Sequence, residues 1–390
     1  MYKIRTLNAI SQVIYESFPE DKYSVSDSAD NYDAVIVRSA DMHDMELPDE
    51  LVAIARAGAG YNNIPVERCT KEGVVVFNTP GGNANSVAEM AIGTMISASR
   101  NAFSGAEWVK TLKGNGDEVG ALAEKGKAAF VGREIRGKKL AVIGLGAVGG
   151  RFANMAYNLK MSVVGFDPYL SVDAAWRLSR GVRKSASLEE AIEKADFVSV
   201  HVPYLPSTKN YIDSKAIDAL KDGAVLINFS RGELVDGDAL RKALASGKIS
   251  KYVTDFAEDD LLDNPSVITL PHLGASTPES EDNCADMAAN QIAAYLENGS
   301  IMNSVNYPAC ELANWHGERI CLLHKNIPNM ITQISSAIGS CGVNIEHMMN
   351  KSRGDVAYSV LDLGAPCEGV MIESLKAIDG IYKVRIIKGS

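Results

Sequence analysis

The fold is decided by the stretch Leu140-Ala141-Val142-Ile143-Gly144-Leu145-Gly146-Ala147-Val148-Gly149. Its four leading apolar residues predict a buried strand, and the three glycines follow the spacing G-x-G-x-x-G where a helical segment begins. Asp167 stands eighteen residues beyond the last glycine, at the end of the next apolar run. A strand, a glycine turn, a helix and a second strand that ends in a carboxylate predict a dinucleotide site.

Each part of this motif has a physical task. Gly144 makes the tight turn, Gly146 lets backbone N–H groups approach a pyrophosphate, and Gly149 allows close helix packing. The pair Ala147-Val148 opens the helix whose N-terminus faces the phosphates. Asp167 can accept hydrogen bonds from both ribose hydroxyls and would repel a 2′-phosphate, which favours NAD over NADP. The alternative is a glycine turn that serves only packing.

Short apolar runs alternate with helical stretches on both sides of the motif. They lie at residues 34–37, 162–166, 197–200 and 225–228. Continuous apolar runs separated by helices predict parallel strands that are buried on both faces. The predicted fold class is therefore α/β, with doubly wound parallel sheets.

Length and composition limit the remaining possibilities. A chain of 390 residues with 46% hydrophobic content is expected to form two or three domains. Its net charge of −10 disfavours nucleic acid as a partner. No signal peptide and no apolar run of membrane-spanning length is visible, so we expect a cytoplasmic protein with no membrane partner. The six cysteines contain no C-x-x-C pair, so no metal site is predicted.

Two segments place polar residues directly after apolar strands, where ligand crevices form in open α/β sheets. They are residues 228–236 and 270–277, and with residues 132–138 they resemble the signature segments of the D-2-hydroxyacid dehydrogenase family. The resemblance covers roughly residues 1 to 305. It implies a Rossmann-like NAD-binding domain at residues 97–274 and a flavodoxin-like substrate domain at residues 1–96 and 275–305.

The resemblance also implies catalytic roles. His272 matches the family's base for the hydroxyl proton, and Arg231 matches the cation that grips the carboxylate. The family adds a glutamate that supports the histidine, but here counting from Arg231 places Asp260 at that position, with Glu258 as the alternative acid. Asp255 matches the carboxylate beside the nicotinamide. The bland alternative is a core histidine and a surface arginine.

Further residues are carried over by the same resemblance. On the cofactor side they are Pro203, Ser230 and Gly274, whereas His201 is interpreted as structural. On the substrate side they are Arg38, Ser39, Gly60 and Asn85. Arg38 is the candidate for holding a substrate phosphate, and the alternative is an ordinary surface charge.

Residues 318–390 have the order β-α-β-β-α-β, which predicts a ferredoxin-like domain. Its second helix is predicted over residues 368–377. The segments at 324–329 and 341–345 resemble an ACT regulatory domain, a type that binds amino acids. The resemblance implies that His324, Asn326 and Asn344 hold an effector, which is L-serine in the relevant members. A domain used only for dimerisation is the alternative.

Taken together, the resemblances imply the oxidation of 3-phospho-D-glycerate to 3-phosphohydroxypyruvate, the first step of L-serine biosynthesis, with feedback regulation by serine. One alternative is a dehydrogenase of another D-2-hydroxy acid. A non-catalytic, NAD-sensing interaction protein is the alternative from a different class. We expect a homo-oligomer, either a dimer or a tetramer.

Overall fold

The computed structural model of the chain describes residues 1–312, 315, 317–367 and 369–389. The chain divides into two compact units, one formed by Met1–Asn83 with Pro278–Ser390 and the other by Ala84–Thr277. The predicted domain changes at residues 97 and 275 lie close to these divisions. Residue 97 falls inside a helix, so the first division comes at the start of that helix instead.

The amino-terminal part of the first unit is built on a five-stranded sheet. Its strands are β1 (Tyr2–Leu7), β2 (Tyr23–Ser26), β3 (Ala34–Val37), β4 (Ala53–Arg56) and β5 (Val75–Phe77). Helices α1 (Ile14–Ser17) and α2 (Val66–Lys71) lie between strands along the chain. All four neighbouring pairs of these strands are parallel, and the order is β2-β1-β3-β4-β5. This order is flavodoxin-like, as the family resemblance implies for the substrate domain.

The second unit contains a seven-stranded parallel sheet with helices in its connections. The helices are α3 (Ala84–Ser99), α4 (Ala102–Lys110), α5 (Val119–Gly126), α6 (Ala147–Asn158), α7 (Val172–Trp176), α8 (Leu188–Ile192), α9 (Ser214–Ala219) and α10 (Gly237–Ser246). The strands are β6 (Lys139–Ile143), β7 (Ser162–Phe166), β8 (Arg183–Lys184), β9 (Phe197–Val200), β10 (Ala224–Asn228), β11 (Ile249–Thr254) and β12 (Val267–Thr269). The order β12-β11-β10-β9-β6-β7-β8 confirms the predicted doubly wound fold.

Short 3-10 helices add to these connections. They are Gly116–Glu118, Lys127–Phe130, Pro206–Thr208, Gly232–Leu234 and Asp259–Leu261. Residues 114–127 contain several glycines and lysines, a composition that is typical of an exposed connection. The segment is exposed, but most of it is helical, because α5 contains the helix formers Ala-Leu-Ala-Glu-Lys between two glycines.

The first unit resumes with the long helix α11 (Pro278–Asn298), whose buried face includes Ala285, Ala288 and Ile292. The C-terminal elements follow as β13 (Glu318–Lys325), α12 (Met330–Ser340), β14 (Ile345–Arg353), β15 (Val356–Leu363), α13 (Gly369–Lys376) and β16 (Ile381–Lys388). The antiparallel order β14-β15-β13-β16 is ferredoxin-like, as predicted. Residue Glu368, where the second helix was expected to begin, lies outside the described residues.

The central strand β13 of the C-terminal sheet is buried on both faces. Side chains alternate along a strand, so Ile320 and Leu322 of β13 pack with α12 and α13, whereas Cys321 and Leu323 face the other way. The second set shares one apolar core with Tyr295 and the amino-terminal sheet. The sequence suggested a smaller separate unit here. The shared core instead joins it to the amino-terminal part of the chain.

Among the described residues, no helix is both long enough and apolar enough to cross a membrane.

Candidate active site

The predicted cofactor and catalytic residues of the second unit follow the carboxyl ends of its strands. Gly144 follows β6, Asp167 follows β7, Pro203 lies beyond β9, Arg231 beyond β10, Asp255 follows β11, and His272 lies beyond β12. Parallel strands present these ends at one edge of the sheet. The order reverses beside β6, which pairs with β7 on one side and β9 on the other. Ligands bind at such a switch point in open α/β sheets.

The glycine turn has the backbone that its sequence predicts. Gly144 has φ +89°, and a Cβ there would lie 2.6 Å from the carbonyl oxygen of His201. A Cβ at Gly149 would collide with the carbonyl oxygen of Gly144, so this contact requires glycine. Nothing lies within 4 Å of a Cβ built on Gly146. The turn is thus tight on its inner side and open beside the N-terminus of α6, where Ala147 and Val148 begin the helix.

Asp167 is connected to this turn by hydrogen bonds. Its Oδ2 accepts from the backbone N–H of Leu145 at 2.8 Å, and its Oδ1 accepts from that of Tyr169 at 2.9 Å. A carboxylate oxygen has two lone pairs, so both oxygens keep capacity for a further donor. The side chain is half-buried and fits the predicted contact with ribose hydroxyls.

Asp255 is a buried carboxyl that lacks one partner. Its Oδ2 accepts from the backbone N–H of Gly274 at 3.2 Å, whereas its Oδ1 has no hydrogen-bond partner among the described residues. Burial raises the pKa of Asp255, and the charges of His272 and Arg231 oppose that shift. A buried acceptor without a donor fits the amide of a nicotinamide. The glycine turn, Asp167 and Asp255 therefore fit NAD.

Arg231 is positioned by its own segment. Asn228 at the end of β10 is buried, and its side-chain amide donates to the carbonyl oxygen of Arg231 at 2.8 Å. Ser230 donates through Oγ to the carbonyl oxygen of Val200 at 2.8 Å. The Arg231 guanidinium donates to the Ser230 carbonyl at 2.6 Å, and the residue is exposed. No role was predicted for Asn228, although a polar residue that ends an apolar strand was a usable signal.

His272 has an unusual backbone and an exposed side chain. Its φ is +50°, which is uncommon for a residue other than glycine. Its backbone N–H lies 3.1 Å from the carbonyl oxygen of Asp255 and 3.0 Å from that of Leu270. Its ring stands edge-on to Phe256, with the two ring centres 5.1 Å apart. These contacts hold His272 beside the segment that carries Asp255.

The two candidate acids have different surroundings. Asp260 accepts from Arg241 at 2.6 Å, and Arg241 also donates to Asp238 at 2.6 Å. Glu258 has its Oε1 3.5 Å from a Cβ built on Gly232. With Gly232, Phe256 and Arg241, Glu258 lines a cavity of about 340 Å³, but Arg241 donates its hydrogen bonds to Asp260 and Asp238. The structure thus places Asp260 in an ion pair with Arg241, and Glu258 toward the residue that follows Arg231.

Two further residues of this edge were assigned from the sequence. Pro203 is exposed, and its carbonyl oxygen accepts from Thr208 at 2.8 Å. His201 has Nε2 within 2.8 Å of the Ser199 hydroxyl, and burial lowers the pKa of His201 to about 4. A neutral, hydrogen-bonded imidazole suits the structural role that the sequence suggested for His201.

Three of the four predicted substrate residues belong to the first unit, where Arg38 and Ser39 follow β3 and Gly60 lies beyond β4. Arg38 donates to Glu281 of α11 at 2.6 Å. The backbone N–H of Ser39 donates to Asn8 at 3.1 Å. Asn85 belongs to the second unit and donates to Glu89 at 2.7 Å.

Arg56 was missed, although it stands at the end of β4. Its Nε donates to the carbonyl oxygen of Arg38 at 3.0 Å. This hydrogen bond holds the backbone of Arg38, the predicted phosphate ligand.

The predicted effector residues do not meet within one chain. His324 is buried, with Nδ1 2.8 Å from the Lys325 carbonyl oxygen and Nε2 2.8 Å from the Ser359 hydroxyl. Asn326 is exposed and donates to the Gly354 carbonyl oxygen at 3.0 Å. Asn344 precedes β14, whose first residue is level with the start of β13. His324 and Asn326 therefore lie at one end of the sheet and Asn344 at the other.

Comparison with known proteins places these features in a family. Residues 92–274 match the family described as D-isomer specific 2-hydroxyacid dehydrogenase, NAD binding domain. The D-3-phosphoglycerate dehydrogenase of Haemophilus influenzae is 31% identical over 359 residues, which cover 88% of this chain and 83% of that protein. The enzyme of the same name from Escherichia coli is 32% identical over 356 residues, covering 87% and 82%.

A solved structure agrees with these sequence matches. It is the NAD+-bound 3-phosphoglycerate dehydrogenase of Entamoeba histolytica, with 27% identity and a TM-score of 0.61. The similarity covers 78% of this chain and 98% of that one.

Proposed function

The chain belongs to the D-isomer specific 2-hydroxyacid dehydrogenase family and is an NAD-dependent dehydrogenase, and we propose that its substrate is 3-phospho-D-glycerate. The product would be 3-phosphohydroxypyruvate, in the first step of L-serine biosynthesis. The observation that carries the proposal is the grouping of Arg231 and His272 around buried Asp255, at the edge where the cofactor residues lie. The names of the relatives support the choice of substrate.

Each catalytic side chain has one task in this proposal. Arg231 binds the substrate carboxylate through its planar guanidinium. His272 accepts the hydroxyl proton as the C–H bond at the same carbon breaks. NAD, when bound, supplies the hydride acceptor. Asp255 orients the nicotinamide amide, and the exposed positions of Arg231 and His272 leave them accessible to substrate.

Arg38 is the proposed contact for the substrate phosphate. Its Nη2 is engaged by Glu281, but a guanidinium has five N–H donors in a fixed fork. The remaining N–H donors of Arg38 can bind phosphate oxygens. Arg56 holds the backbone of Arg38 through its hydrogen bond to the Arg38 carbonyl oxygen. The phosphate contact is what would separate this substrate from other D-2-hydroxy acids.

A panel of substrates tests the reaction directly. NADH formation is measured with 3-phospho-D-glycerate, D-glycerate and D-lactate, and each reaction is repeated with NADP. We expect the highest kcat/KM with 3-phospho-D-glycerate and NAD. A higher value with an unphosphorylated acid would support the alternative of another D-2-hydroxy acid. No turnover with any acid would favour an NAD-sensing interaction protein.

We assign the acid partner of His272 to Glu258. Asp260 is already paired with Arg241, whereas Glu258 lies near Gly232 and Phe256, and Phe256 contacts the His272 ring. A carboxylate near the imidazole stabilises the positive charge that His272 acquires when it accepts the proton. Glu258→Gln should lower kcat by about tenfold or more, because an interaction with a charged group contributes about 1.5–3 kcal/mol.

Asp260→Asn is the matched control for Glu258→Gln, because it removes one carboxylate from the same loop. Its kcat should stay within about twofold of the wild type, since exposed ion pairs contribute little. If Asp260→Asn has the larger effect on kcat, the acids have been assigned the wrong way round.

Feedback regulation by L-serine also belongs to the proposal, and its geometry requires two copies of the chain. His324 and Asn344 lie about six residues apart along the direction of β13, which is roughly 20 Å. One serine cannot span that distance. If β14 of a second copy paired antiparallel with β14 of the first, Asn344 of the second copy would lie near Asn326 of the first. The exposed edge strand β14 suits such pairing, in a homo-oligomer that we propose is a cytoplasmic dimer or tetramer.

Asn326 and Asn344 are the proposed direct contacts with serine, because both ring nitrogens of His324 are occupied. Asn344→Ala should reduce inhibition by serine while kcat without serine is unchanged. The measurement is a serine titration of initial rates, with Ser336→Ala at an exposed position of α12 as the control. Equal inhibition of all three proteins, or none of the wild type, would leave the C-terminal domain as an assembly domain.

A further inference from the structure

The last turn of α11 ends against the C-terminal sheet. The final carbonyl groups of a helix have no partner within the helix and carry its negative dipole end. Here three side chains from one face of the sheet donate to them or to the next residue. The bonds run from Arg385 to Tyr295 O (3.2 Å) and Leu296 O (3.4 Å), from Arg319 to Asn298 O (3.0 Å) and from Tyr358 to Gly299 O (2.7 Å). Arg319, Tyr358 and Arg385 are called the capping side chains below.

The capping side chains are themselves held in place. Arg319 is buried and forms a forked pair with Asp362, at 2.6 and 3.0 Å, while it stacks on Trp315 at 3.9 Å. Tyr358 is fully buried. Arg385 lies 4.2 Å from the centre of the Tyr295 ring. This is a fixed junction between the sheet and the helix.

The residue directly after α11 leaves no room for movement. Gly299 has φ +82°, and a Cβ there would lie 2.7 Å from Cys321 Sγ and 2.9 Å from the Tyr358 hydroxyl. The chain therefore passes between side chains of the C-terminal sheet as it leaves the helix. A glycine here permits close packing rather than a free hinge.

The opposite end of α11 holds the proposed substrate contacts. Glu281 in its first turn accepts from Arg38 at 2.6 Å. Gln291 further along donates to the Asn78 carbonyl oxygen at 3.1 Å, just beyond β5. A helix of 21 residues is about 30 Å long and stiff along its axis. A displacement at the capped end is therefore passed on to Glu281.

We propose that the capping side chains are positioning residues for substrate phosphate. By fixing the carboxyl end of α11, they fix Glu281 and through it the guanidinium of Arg38. Affinity for a phosphorylated substrate then depends on the C-terminal sheet even when no effector is bound. This inference rests on the proposed function only where it assigns the phosphate to Arg38.

The experiment compares Tyr358→Phe and Arg385→Met with the wild type. Tyr358→Phe removes one hydroxyl and keeps the ring, so it tests the junction even if Arg385→Met fails to fold. KM is measured for 3-phospho-D-glycerate and for NAD, and kcat/KM is measured for D-glycerate. Each variant should raise KM for 3-phospho-D-glycerate by about 3- to 10-fold, the range of long-range coupling by side chains. KM for NAD and kcat/KM for D-glycerate should stay within about twofold.

Met371→Ala is the matched control. Met371 of α13 is fully buried in the core between the opposite face of the same sheet and the two helices, where it shares a cluster with Ile320 and Ile334, so its loss weakens the domain without touching α11. Its KM for 3-phospho-D-glycerate should match the wild type at a temperature where all variants are folded. The coupling is overturned if Met371→Ala raises this KM equally, or if neither capping variant raises it.

Arg38→Ala separates failure of the coupling from failure of the proposed function. If Arg38→Ala raises KM for 3-phospho-D-glycerate but the capping variants do not, only the coupling is wrong. If Arg38→Ala leaves this KM unchanged, the phosphate contact is assigned to the wrong residue. The proposed coupling through Arg38 is then wrong as well.

Discussion

Two loops at the carboxyl edge of the seven-stranded sheet differ in what fixes their residues. In the glycine turn after β6, backbone geometry decides, because Gly144 needs a positive φ and Gly149 has no room for a side chain. In the loop after β11, the direction of side chains decides, because Glu258 and Asp260 are two positions apart and contact different neighbours.

This difference determines what a sequence can reveal. A positive φ or a close backbone contact excludes most residue types other than glycine. A glycine at such a position in the sequence therefore indicates the tight turn. Two carboxylates in one exposed loop fit the same sequence pattern equally well. Only the residues around each side chain distinguish them. The cofactor loop is therefore specified locally, and the acid loop depends on residues distant in sequence, such as Arg241.

The largest effect is expected for the residue that takes part in the proton transfer. His272→Ala should lower kcat by about 10²- to 10⁴-fold, because the hydroxyl proton loses its acceptor. KM for NAD should change by less than about threefold, since the glycine turn and Asp167 are untouched. Steady-state rates over a range of NAD concentrations measure both. A kcat near the wild-type value would assign the base to another residue.

An intermediate effect is expected at the cofactor loop. Asp167→Ala should weaken NAD binding by about 10- to 100-fold and narrow the preference for NAD over NADP, because it removes both the ribose acceptor and the repulsion of a 2′-phosphate. Asp173→Ala, an exposed acid in the first turn of α7, is the control. Unchanged NAD preference in Asp167→Ala would mean that the backbone alone specifies this site.

The smallest effect concerns Asp255, the buried residue that opens the loop after β11. Its pKa is raised by burial above the usual value, so the wild type loses stability as pH rises from about 4 through the folded-state pKa. Asp255→Asn has no such charge. Its free energy of unfolding should therefore exceed that of the wild type more at pH 7 than at pH 4.

Denaturant unfolding of Asp255→Asn at the two pH values measures this difference, and NAD affinity should fall in the same variant. A wild type that gains more stability than Asp255→Asn on going from pH 4 to pH 7 would contradict the assigned direction of the pKa shift.

The sequence predicted the parts of the fold that depend on local pattern. The runs at β3, β7 and β9 have the predicted bounds, and the ferredoxin-like order of the C-terminal sheet was also predicted. The helix of α5 was not predicted, because neighbouring glycines obscured its helix formers.

Contacts between residues that are far apart in the chain could not be predicted from the sequence. The pairing of Arg38 with Glu281 joins residues 243 positions apart, and no local pattern indicates it. The same holds for the effector residues, which the resemblance to an ACT domain assigned to one effector. The strand pairing places His324 and Asn344 at opposite ends of the sheet.

The most direct test of the proposed substrate is the ratio of kcat/KM for 3-phospho-D-glycerate to that for D-glycerate, in the wild type and in Arg38→Ala. The two substrates differ only in the phosphate, so the ratio isolates its contribution. Charge-assisted hydrogen bonds to phosphate predict that the ratio falls by about 10- to 100-fold in Arg38→Ala, with little change for D-glycerate. A wild type that prefers D-glycerate, or a ratio that is equal in both proteins, would contradict the account.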